Sequence, residues 1–364
     1  MENNNKAQLT LFITNSCNLN CIYCYEQKDK FTMSFDCATA WISRCLNNKD
    51  NDYWSICLFG GEPLLQFPLV KAICEWTWQQ SWQVSYIFLL QTNGTLLSED
   101  MKNWFCHNKE RIGLCLSLDG RRNTHNTNRN NSFDQIDLVF FRSMWPQMPV
   151  KMTISRNNIK DIGDNIIWLH EQGFSIRGCN LAVGGDELSD ADFDIFANQL
   201  KLLSDYYIAN PTIEICPILD IPLYLLSSPS DPHRRICNLG TDKLIVVNTD
   251  GTTSPCSFFS NISSRKKDVK LQEQLKEVRI RKTDCFYSCS LSPVCDVCYA
   301  ENYTETGNIY TPSKQRCRLM KLRIKAAMYL MANRIVNKKK VTNEDTLTIR
   351  SIQQYYGNVD IFGW

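Results

Sequence analysis

Three cysteines near the start of the chain restrict its chemistry more than any other feature of the sequence. Cys17, Cys21 and Cys24 are separated by three and then two residues, and they follow an apolar, strand-like run, Gln8–Thr14. Three thiolates on one short loop can hold three irons of a 4Fe–4S cluster, which leaves the fourth iron without a protein ligand. An iron with an open position can bind a substrate or cofactor, as catalytic zinc does. A zinc loop or a chance group of cysteines would give the same short pattern.

Charge and cysteine usage narrow the class of protein. The 364-residue chain has a net charge of +2 and 18 cysteines. Its polar start lacks the apolar core of a secretion signal, and no apolar run approaches the ~18 residues of a membrane span. We therefore expect a cytoplasmic protein with neither nucleic acid nor membrane as a partner. In a reducing compartment, so many cysteines indicate metal or redox chemistry rather than disulfides.

Strand-like and helix-like segments alternate from residue 7 to about 185. This alternation predicts βαβ units, a parallel sheet and an α/β fold. The predicted strands are Gln8–Thr14, Ser55–Phe59, Ser85–Gln91, Gly113–Ser117, Val150–Ser155 and Ser175–Asn180. The predicted helices are Asp36–Asn47, Leu64–Gln79, Ser98–Asn108, Ser132–Trp145, Asp164–Gln172 and Ser189–Asn210.

The composition divides the chain into four expected parts. Residues 7–210 form the α/β domain, and a segment rich in proline and serine, residues 211–232, forms a bridge. Residues 233–340 form a cysteine-rich module that ends in a basic, helix-like stretch, Ser313–Lys340. The polar tail, residues 341–364, has no clear secondary-structure pattern. Eight other cysteines lie mostly in apolar segments, where free cysteine packs as a small hydrophobe: Cys37, Cys45, Cys57, Cys74, Cys106, Cys115, Cys179 and Cys216.

Polar and glycine-rich residues follow the predicted strands where each strand ends. The second strand ends at Gly60-Gly61-Glu62-Pro63, the third at Gln91-Thr92-Asn93-Gly94 and the fourth at Ser117-Leu118-Asp119-Gly120. Two glycines allow a close approach of the backbone to a ligand, although a proline that starts a helix also suits a simple turn. The carboxyl ends of parallel strands carry the active sites of (β/α) barrels, so we expect the chemistry here.

These motifs, in this order, resemble those of the radical S-adenosylmethionine (SAM) enzymes. The resemblance implies a partial (β/α)6 barrel in which Cys17, Cys21 and Cys24 hold a SAM-binding 4Fe–4S cluster. In such enzymes the cluster cleaves SAM, and a 5′-deoxyadenosyl radical abstracts hydrogen from the substrate. The cofactor carries the difficult chemistry, while the protein positions it and excludes water.

The same resemblance implies which residues contact SAM. Tyr23 matches an aromatic position beside the adenine, and the stretch from Gly60 through Gly61 and Glu62 to Pro63 matches the edge that binds the ammonium group. Gln91 and Asn93 match residues that line the cavity. Ser117 and Arg129 match contacts with the ribose and the carboxylate, and an arginine can bind a carboxylate through two hydrogen bonds. A solvated loop charge is the alternative for Arg129, and a turn aspartate is the ordinary interpretation of Asp119.

A second group of cysteines resembles the seven-cysteine SPASM domain. Its spacing opens with Cys237, Gly251 and Cys256, and it continues with Cys285, Cys289, Cys295, Cys298 and Cys317. The inner spacing here is three, five and two residues, where the usual pattern has two, five and three. The resemblance implies two auxiliary 4Fe–4S clusters, one on Cys237, Cys256 and Cys298 and the other on Cys285, Cys289, Cys295 and Cys317. Structural zinc is the alternative.

Enzymes with this second module mostly modify peptides or proteins, and nearly the whole chain is similar to the anaerobic sulfatase-maturating enzymes. Those enzymes carry an aspartate after the cysteine of a Pro-Cys pair, where this chain has Ser257 after Pro255-Cys256. An unassisted hydroxyl is a poor general base near neutral pH. We therefore expect a maturase that installs a thioether, C–C or C–O crosslink, or another side-chain modification, in a ribosomally made peptide.

Several alternatives stay open. They are formylglycine formation on a sulfatase, radical chemistry on a small molecule, and a non-catalytic iron–sulfur or zinc protein. The expected partners are the peptide or protein substrate and an electron donor such as a flavodoxin or ferredoxin. Because the first strand begins by residue 8, a leader-binding domain has no room before it, so we expect the substrate to be recognised by the barrel mouth, the C-terminal module or a separate leader-binding protein.

Overall fold

The computed structural model describes residues 6–146, 149–184, 187–227, 237–260, 271, 273–275, 283–286 and 288–356. Parts of the predicted bridge, cysteine-rich module and tail therefore lie outside the described residues. No helix in the described ranges is both long enough and apolar enough to cross a membrane.

The six predicted strands are confirmed to within two residues at each end. In chain order, the strands are β1 (Lys6–Thr14), β2 (Tyr53–Gly60), β3 (Ser85–Thr92), β4 (Ile112–Leu116), β5 (Pro149–Ile154), β6 (Ser175–Leu181), β7 (Leu244–Val247) and β8 (Thr253–Ser254). One sheet has the order β4-β3-β2-β1-β7-β8, in which all pairs but β7–β8 are parallel, and β5 pairs with β6. Leu9, Leu11 and Ile13 of β1 are fully buried, as expected for a parallel strand that is covered on both faces.

The helices mostly begin where a capping residue allows. They are α1 (Phe35–Leu46), α2 (Phe67–Gln79), α3 (Glu99–His107), α4 (Arg122–Asn128), α5 (Leu138–Met144), α6 (Ile162–Glu171), α7 (Asp190–Ala209), α8 (Tyr299–Thr306), α9 (Lys314–Val336) and α10 (Asn343–Tyr355). The Ser34, Ser98 and Ser189 side chains accept hydrogen bonds from the first turns of α1, α3 and α7, which satisfies otherwise unpaired backbone donors.

The described residues form two compact units. The first comprises the described parts of Met1–Leu118, His125–Lys151 and Asn238–Arg281. The second comprises those of Asp119–Thr124, Met152–Cys237 and Lys282–Trp364. In the first unit, β7 pairs with β1 over Gln8–Leu11, so the hairpin that opens the cysteine-rich region extends the edge of the main sheet. The four-part division made from composition stays a prediction.

Candidate active site

The cysteine loop leaves the end of β1 and returns beside it. Thr14 and Thr32 form an antiparallel bridge, and the Asn15 amide donates to the Phe31 carbonyl at 2.9 Å. The Thr14 hydroxyl also donates to the Phe31 carbonyl, at 3.1 Å. These contacts close the loop at its base, so Cys17, Cys21 and Cys24 are carried on a segment whose two ends are fixed.

The loop is also attached to the end of β3. The Asn18 side-chain amide donates to the Thr95 hydroxyl at 2.8 Å, and the Asn93 side-chain amide donates to the Asn18 side-chain oxygen at 2.9 Å. Further along, the Ile22 amide donates to the Asn128 carbonyl at 3.0 Å. The predicted cavity residue Asn93 is therefore bonded directly to the cysteine loop.

Two glycines at the end of β2 lie directly against the start of this loop. The Gly61 amide donates to the Thr14 carbonyl at 2.8 Å, and the Glu62 amide donates to the Ser16 carbonyl at 2.8 Å. A Cβ atom on Gly61 would lie 2.2 Å from the Ser16 oxygen, and one on Gly60 would lie 2.2 Å from the Thr14 oxygen. Gly60 also has a φ of 135°, a conformation that favours glycine. The two glycines therefore allow the backbone at the end of β2 to contact the backbone at the end of β1.

The Glu62 carboxylate lies beneath this edge and is almost fully buried. It accepts hydrogen bonds from the Asn93 amide at 2.7 Å, the Thr92 hydroxyl at 2.9 Å and the Leu64 amide at 3.1 Å. Desolvation raises the pKa of Glu62 to about 7, although all three hydrogen bonds favour the charged form. Glu62 therefore joins the ends of β2 and β3, and its role as a SAM contact stays a prediction.

Gln91 and Ser117 also lie together at the strand ends. The Gln91 side-chain amide donates to the Ser117 hydroxyl at 2.7 Å and to the Cys115 carbonyl at 3.0 Å. Arg129 is 6% exposed, and its guanidinium lies 5.4 Å from the centre of the Tyr23 ring. The structure thus brings Arg129 to the aromatic residue of the cysteine loop, as a cation–π pair, rather than leaving it as a solvated charge.

The three loop cysteines form a donor set that suits iron. Burial raises the pKa of Cys17 to about 11 and also raises that of Cys24, and the Cys21 thiol adds to both shifts, so the Cys21 sulfur lies within electrostatic range of the other two. Among the described residues, no three histidine, cysteine, aspartate or glutamate side chains are already arranged to hold a metal ion. Cationic iron would bind by displacing the thiol protons and would compensate the charge of the resulting thiolates. The loop therefore fits a cluster by its donor chemistry.

Tyr25 and Glu26 follow the third cysteine and were not anticipated from the sequence. The Tyr25 ring lies 4.7 Å from the Phe258 ring between centroids, and its hydroxyl is hydrogen-bonded to Ser257 and to Glu26. Burial raises the pKa of Glu26 to about 8, while the Lys151 ammonium opposes the shift. The sequence feature that could have identified Glu26 is its place two residues after Cys24, the last cysteine of the loop.

Within the second unit, four cysteines of the second group are neighbours. Burial raises the pKa of Cys295 to about 12, with contributions from Asp296 and from the thiols of Cys285, Cys289 and Cys317. The pKa of Cys298 is also raised by burial, but the opposing charge there is that of Arg316. The cysteines expected to share a cluster are thus within electrostatic range of Cys295.

The other predicted set is divided between the two units. Cys256 belongs to the first unit, and Cys237 and Cys298 belong to the second. Its assignment to one auxiliary cluster stays a prediction.

Comparisons with known proteins concern the domain that carries the cysteine loop. A family model described as a 4Fe-4S single cluster domain matches residues 7–135. The chain carries a radical SAM-type domain. This radical SAM domain contains Cys17, Cys21 and Cys24 together with all the predicted SAM contacts up to Arg129. The second group of cysteines lies beyond the matched residues.

Two curated relatives extend the similarity. An uncharacterized protein of Methanocaldococcus jannaschii is 24% identical over 291 residues, which cover 76% of this chain and 94% of that protein. A cysteine-type anaerobic sulfatase-maturating enzyme of Clostridium perfringens is 30% identical over 178 residues. That alignment covers 44% of this chain and 47% of the enzyme.

Solved structures share the fold. The enzyme anSMEcpe with bound AdoMet has a TM-score of 0.71 at 19% identity, over 95% of this chain and 98% of that one. SuiB of Streptococcus suis bound to its precursor peptide SuiA has a TM-score of 0.59 at 16% identity, over 85% of this chain and 76% of that one. The predicted α/β fold class is confirmed, and the structural similarity continues beyond the radical SAM domain.

Proposed function

We propose that the protein is a SAM-dependent maturase that abstracts hydrogen from a ribosomally made peptide and installs a crosslink or another side-chain modification. The observation that carries the proposal is the cysteine loop, closed at its base and bonded to the glycine edge and to the end of β3. Proteins with this fold include one solved with AdoMet and one solved with a precursor peptide. When bound, the cluster and SAM supply the electron and the radical for hydrogen abstraction.

Different residues of the chain would hold the clusters and SAM. Cys17, Cys21 and Cys24 would hold the cluster, and the backbone of Gly60 and Gly61 would line the SAM amino-acid group. Arg129 and Tyr23 already form a paired surface, and a carboxylate bound by the guanidinium would lie beside the ring. Cys285, Cys289, Cys295 and Cys317 would hold an auxiliary cluster, and Cys237, Cys256 and Cys298 would hold another. An electron donor such as a flavodoxin or ferredoxin would reduce them, and a separate protein would bind a leader peptide.

Sulfatase maturation is the second candidate, and the 30% identity to a sulfatase-maturating enzyme favours it. The residue after Cys256 argues for the first candidate. The Ser257 side chain is hydrogen-bonded to the Tyr25 phenol, and neither side chain is a carboxylate that could act as a general base. A proton acceptor placed at residue 257 is therefore missing from this chain.

The test is anaerobic reconstitution followed by a count of iron and sulfide and an assay for 5′-deoxyadenosine. We expect about 12 irons per chain, because each of three clusters holds four. Cys17→Ala, Cys21→Ala and Cys24→Ala should each remove about four irons and abolish 5′-deoxyadenosine formation. The control is Cys106→Ala, because the Cys106 thiol contacts the Met144 sulfur at 3.5 Å and belongs to neither cysteine group.

The possible outcomes separate the parts of the proposal. About eight irons with activity would leave a single auxiliary cluster, and zinc in the second group of cysteines would remove both. A fully loaded protein that forms no 5′-deoxyadenosine would refute the enzymatic function. Modification of a sulfatase peptide to formylglycine would replace the first candidate with the second.

A further inference from the structure

We propose that the Lys151 ammonium, beside the ends of β2 and β4, is an anion-binding site that holds the side-chain carboxylate of an aspartate or glutamate in the substrate peptide. The protein would therefore bind a peptide with an acidic residue in preference to a peptide with the corresponding amide. This inference rests on the proposed function, because it names a feature of the substrate that the same active site binds.

One face of the main sheet is accessible even on its central strands. Along β2, Cys57 and Phe59 are half-buried, whereas Leu58 between them is fully buried, because successive side chains of a strand point to opposite faces. The register of the parallel strands continues this open face across β3 and β4, so that it carries Cys57, Phe59, Leu89, Gln91 and Cys115, all of them half-buried. A parallel strand is usually buried on both faces. The open face therefore borders a space that a ligand can enter.

The Lys151 side chain lies over the open face. Its ammonium is 5.6 Å from the centre of the Phe59 ring, and Phe59 immediately precedes Gly60 at the end of β2. The backbone of Lys151 is held by a parallel bridge to Ser117, and its carbonyl accepts a hydrogen bond from the Leu118 amide at 3.0 Å. The ammonium is thus placed next to the strand ends where the SAM site is expected.

The Lys151 ammonium has no counter-charge in contact with it. Within the described part of the chain it donates no hydrogen bond and forms no ion pair, including with Glu26 of the cysteine loop. The open face supplies no anion either, since burial raises the pKa of Cys57 to about 12 and also raises that of Cys115. A half-buried ammonium without a partner is unfavourable. A bound carboxylate would remove this cost.

The carboxylate of SAM has a different expected partner. The Arg129 guanidinium lies 5.4 Å from the centre of the Tyr23 ring, and a guanidinium suits a carboxylate because it can donate two parallel hydrogen bonds. The Lys151 ammonium binds an anion as a point charge and is left for a second carboxylate. Within a peptide chain, aspartate and glutamate are the residues that supply one.

The test measures the binding of two blocked tripeptides that have nearly the same shape and differ in charge. The probes are N-acetyl-Gly-Glu-Gly-amide and N-acetyl-Gly-Gln-Gly-amide. Each is titrated by saturation-transfer NMR against reconstituted holoenzyme with SAM and without reductant, so that no turnover occurs and the signal reports binding alone. Iron content and SAM affinity are measured for each variant to establish that it is folded and loaded.

We expect the glutamate peptide to bind about fivefold to tenfold more tightly than the glutamine peptide, because a hydrogen bond between two charged groups is stronger than one to a neutral amide. Lys151→Met should weaken binding of the glutamate peptide by that factor and leave the glutamine peptide unchanged. Lys151→Arg keeps the charge and should retain most of the preference. The matched control is Lys6→Met, because the Lys6 ammonium lies 6.0 Å from the centre of the Tyr53 ring but at the opposite ends of the strands.

The control should bind both peptides as the wild type does. Equal binding of the two peptides to the wild type, no binding of either, or an unchanged preference in loaded Lys151→Met would overturn the inference. Reduced SAM affinity in Lys151→Met with no change in peptide preference would assign the ammonium to SAM and overturn it too. The proposed function is tested separately, by 5′-deoxyadenosine formation after dithionite is added. A Lys151-dependent preference in a loaded protein that forms none would confirm the carboxylate site and refute the proposed function.

Discussion

At Gly61, the space for a side chain is filled by the main chain of the cysteine loop. A Cβ atom there would lie 2.2 Å from the Ser16 oxygen and 2.6 Å from the Ser16 carbonyl carbon, distances that ordinary packing does not allow. Backbone atoms cannot swing aside as the tip of a side chain can. Residue 61 must therefore be glycine because it lies against the backbone of Ser16, the residue before Cys17.

We expect Gly61→Ala to displace the start of the loop and to lower the iron content by about four atoms per chain, the content of one cluster. Iron analysis after anaerobic reconstitution measures this. The control is Gly307→Ala at the end of α8, where φ is 70° but no atom lies within 4 Å of the added carbon. That control should cost about 1 kcal/mol of helix-end stability and keep its iron. Full iron content in Gly61→Ala would contradict the steric argument.

The buried Glu62 carboxyl gives the protein a pH dependence of known sign. Its pKa is raised from 4.5 to about 7 in the folded state, so the folded protein binds this proton more tightly than the unfolded chain does. The stabilising contribution is fully present below about pH 4.5 and is lost as the pH rises to about 7. The difference is at most about 3 kcal/mol.

Urea unfolding of the metal-free protein at pH 4.5 and pH 7.5 tests this contribution. The free-energy difference between wild type and Glu62→Gln should shift by up to about 3 kcal/mol between these two pH values, with the wild type relatively more stable at the lower one. Glu110→Gln, an exposed carboxylate ahead of β4, is the control. A constant difference across the pH range would show that Glu62 is ionised throughout.

At the scale of elements, the alternation of strand-like and helix-like segments predicted the strands. The helix boundaries depend instead on individual polar and capping residues. The apolar runs of β1 to β6 were evident from sequence because a parallel sheet is buried on both faces. Helix α4 was not anticipated, since Arg122–Asn128 is polar and lacks an apolar periodicity. The sequence of helix α10 gives no clear secondary-structure pattern, although Thr342 and Asp345 form a capping box at its start. The predicted helix Ser132–Trp145 is divided into a turn at Phe133–Gln135 and helix α5, whose amide at Phe140 is capped by Asp137.

Helix α9 is fixed within the second unit by one buried arginine. The Arg323 guanidinium donates to the Asp296 carboxylate at 2.6 Å and to the carbonyls of Ile218 at 2.9 Å and Pro217 at 3.1 Å. Asp296 directly follows Cys295, so this network ties the helix that carries Cys317 to the loop that carries another expected ligand.

Arg323→Met should lower the free energy of unfolding by about 1–3 kcal/mol, because it leaves the buried Ile218 and Pro217 carbonyls without their donor, while Arg316 still pairs with Asp296 at 3.1 Å. Arg318→Met is the control on the same helix, since Arg318 pairs with the exposed Asp190 and such surface pairs contribute about 0–1 kcal/mol. Denaturant unfolding of the two variants measures the contrast. Equal losses would mean that the Arg323 network is not the anchor of α9.

At the scale of the molecule, the sequence predicted which residues would meet at the strand ends but not what each contact does. Cys17, Asn93 and Gly61 were expected at one edge because parallel strands end there together. Glu62 is predicted as a SAM contact, which stays a prediction, and the structure adds that its carboxylate accepts hydrogen bonds from Thr92 and Asn93 at the end of β3. Glu26 and Lys151 are far apart in the chain, and only the fold brings their charges together. Spacing carries information about ligands on one loop, whereas long-range electrostatics depends on tertiary structure.

Fourteen of the 18 cysteines should separate into two chemical classes when iron is removed. A thiolate reacts with an alkylating agent far faster than a thiol does, and only when it is accessible. Cys45, Cys74, Cys179 and Cys216 are buried, and burial raises the pKa of each. We therefore expect these four to stay unlabelled by iodoacetamide at about pH 7.5, with or without iron.

The ten proposed ligands should behave in the opposite way, protected by iron in the loaded protein and labelled after anaerobic chelation. They are Cys17, Cys21, Cys24, Cys237, Cys256, Cys285, Cys289, Cys295, Cys298 and Cys317, of which none is fully buried. Peptide mapping by mass spectrometry assigns the label to each position. A proposed ligand that is labelled equally in both states is not a ligand, and labelling of the four buried cysteines after chelation would mean that iron holds the whole fold together. Because each auxiliary set has its own cysteines, the same map counts the clusters independently of iron analysis.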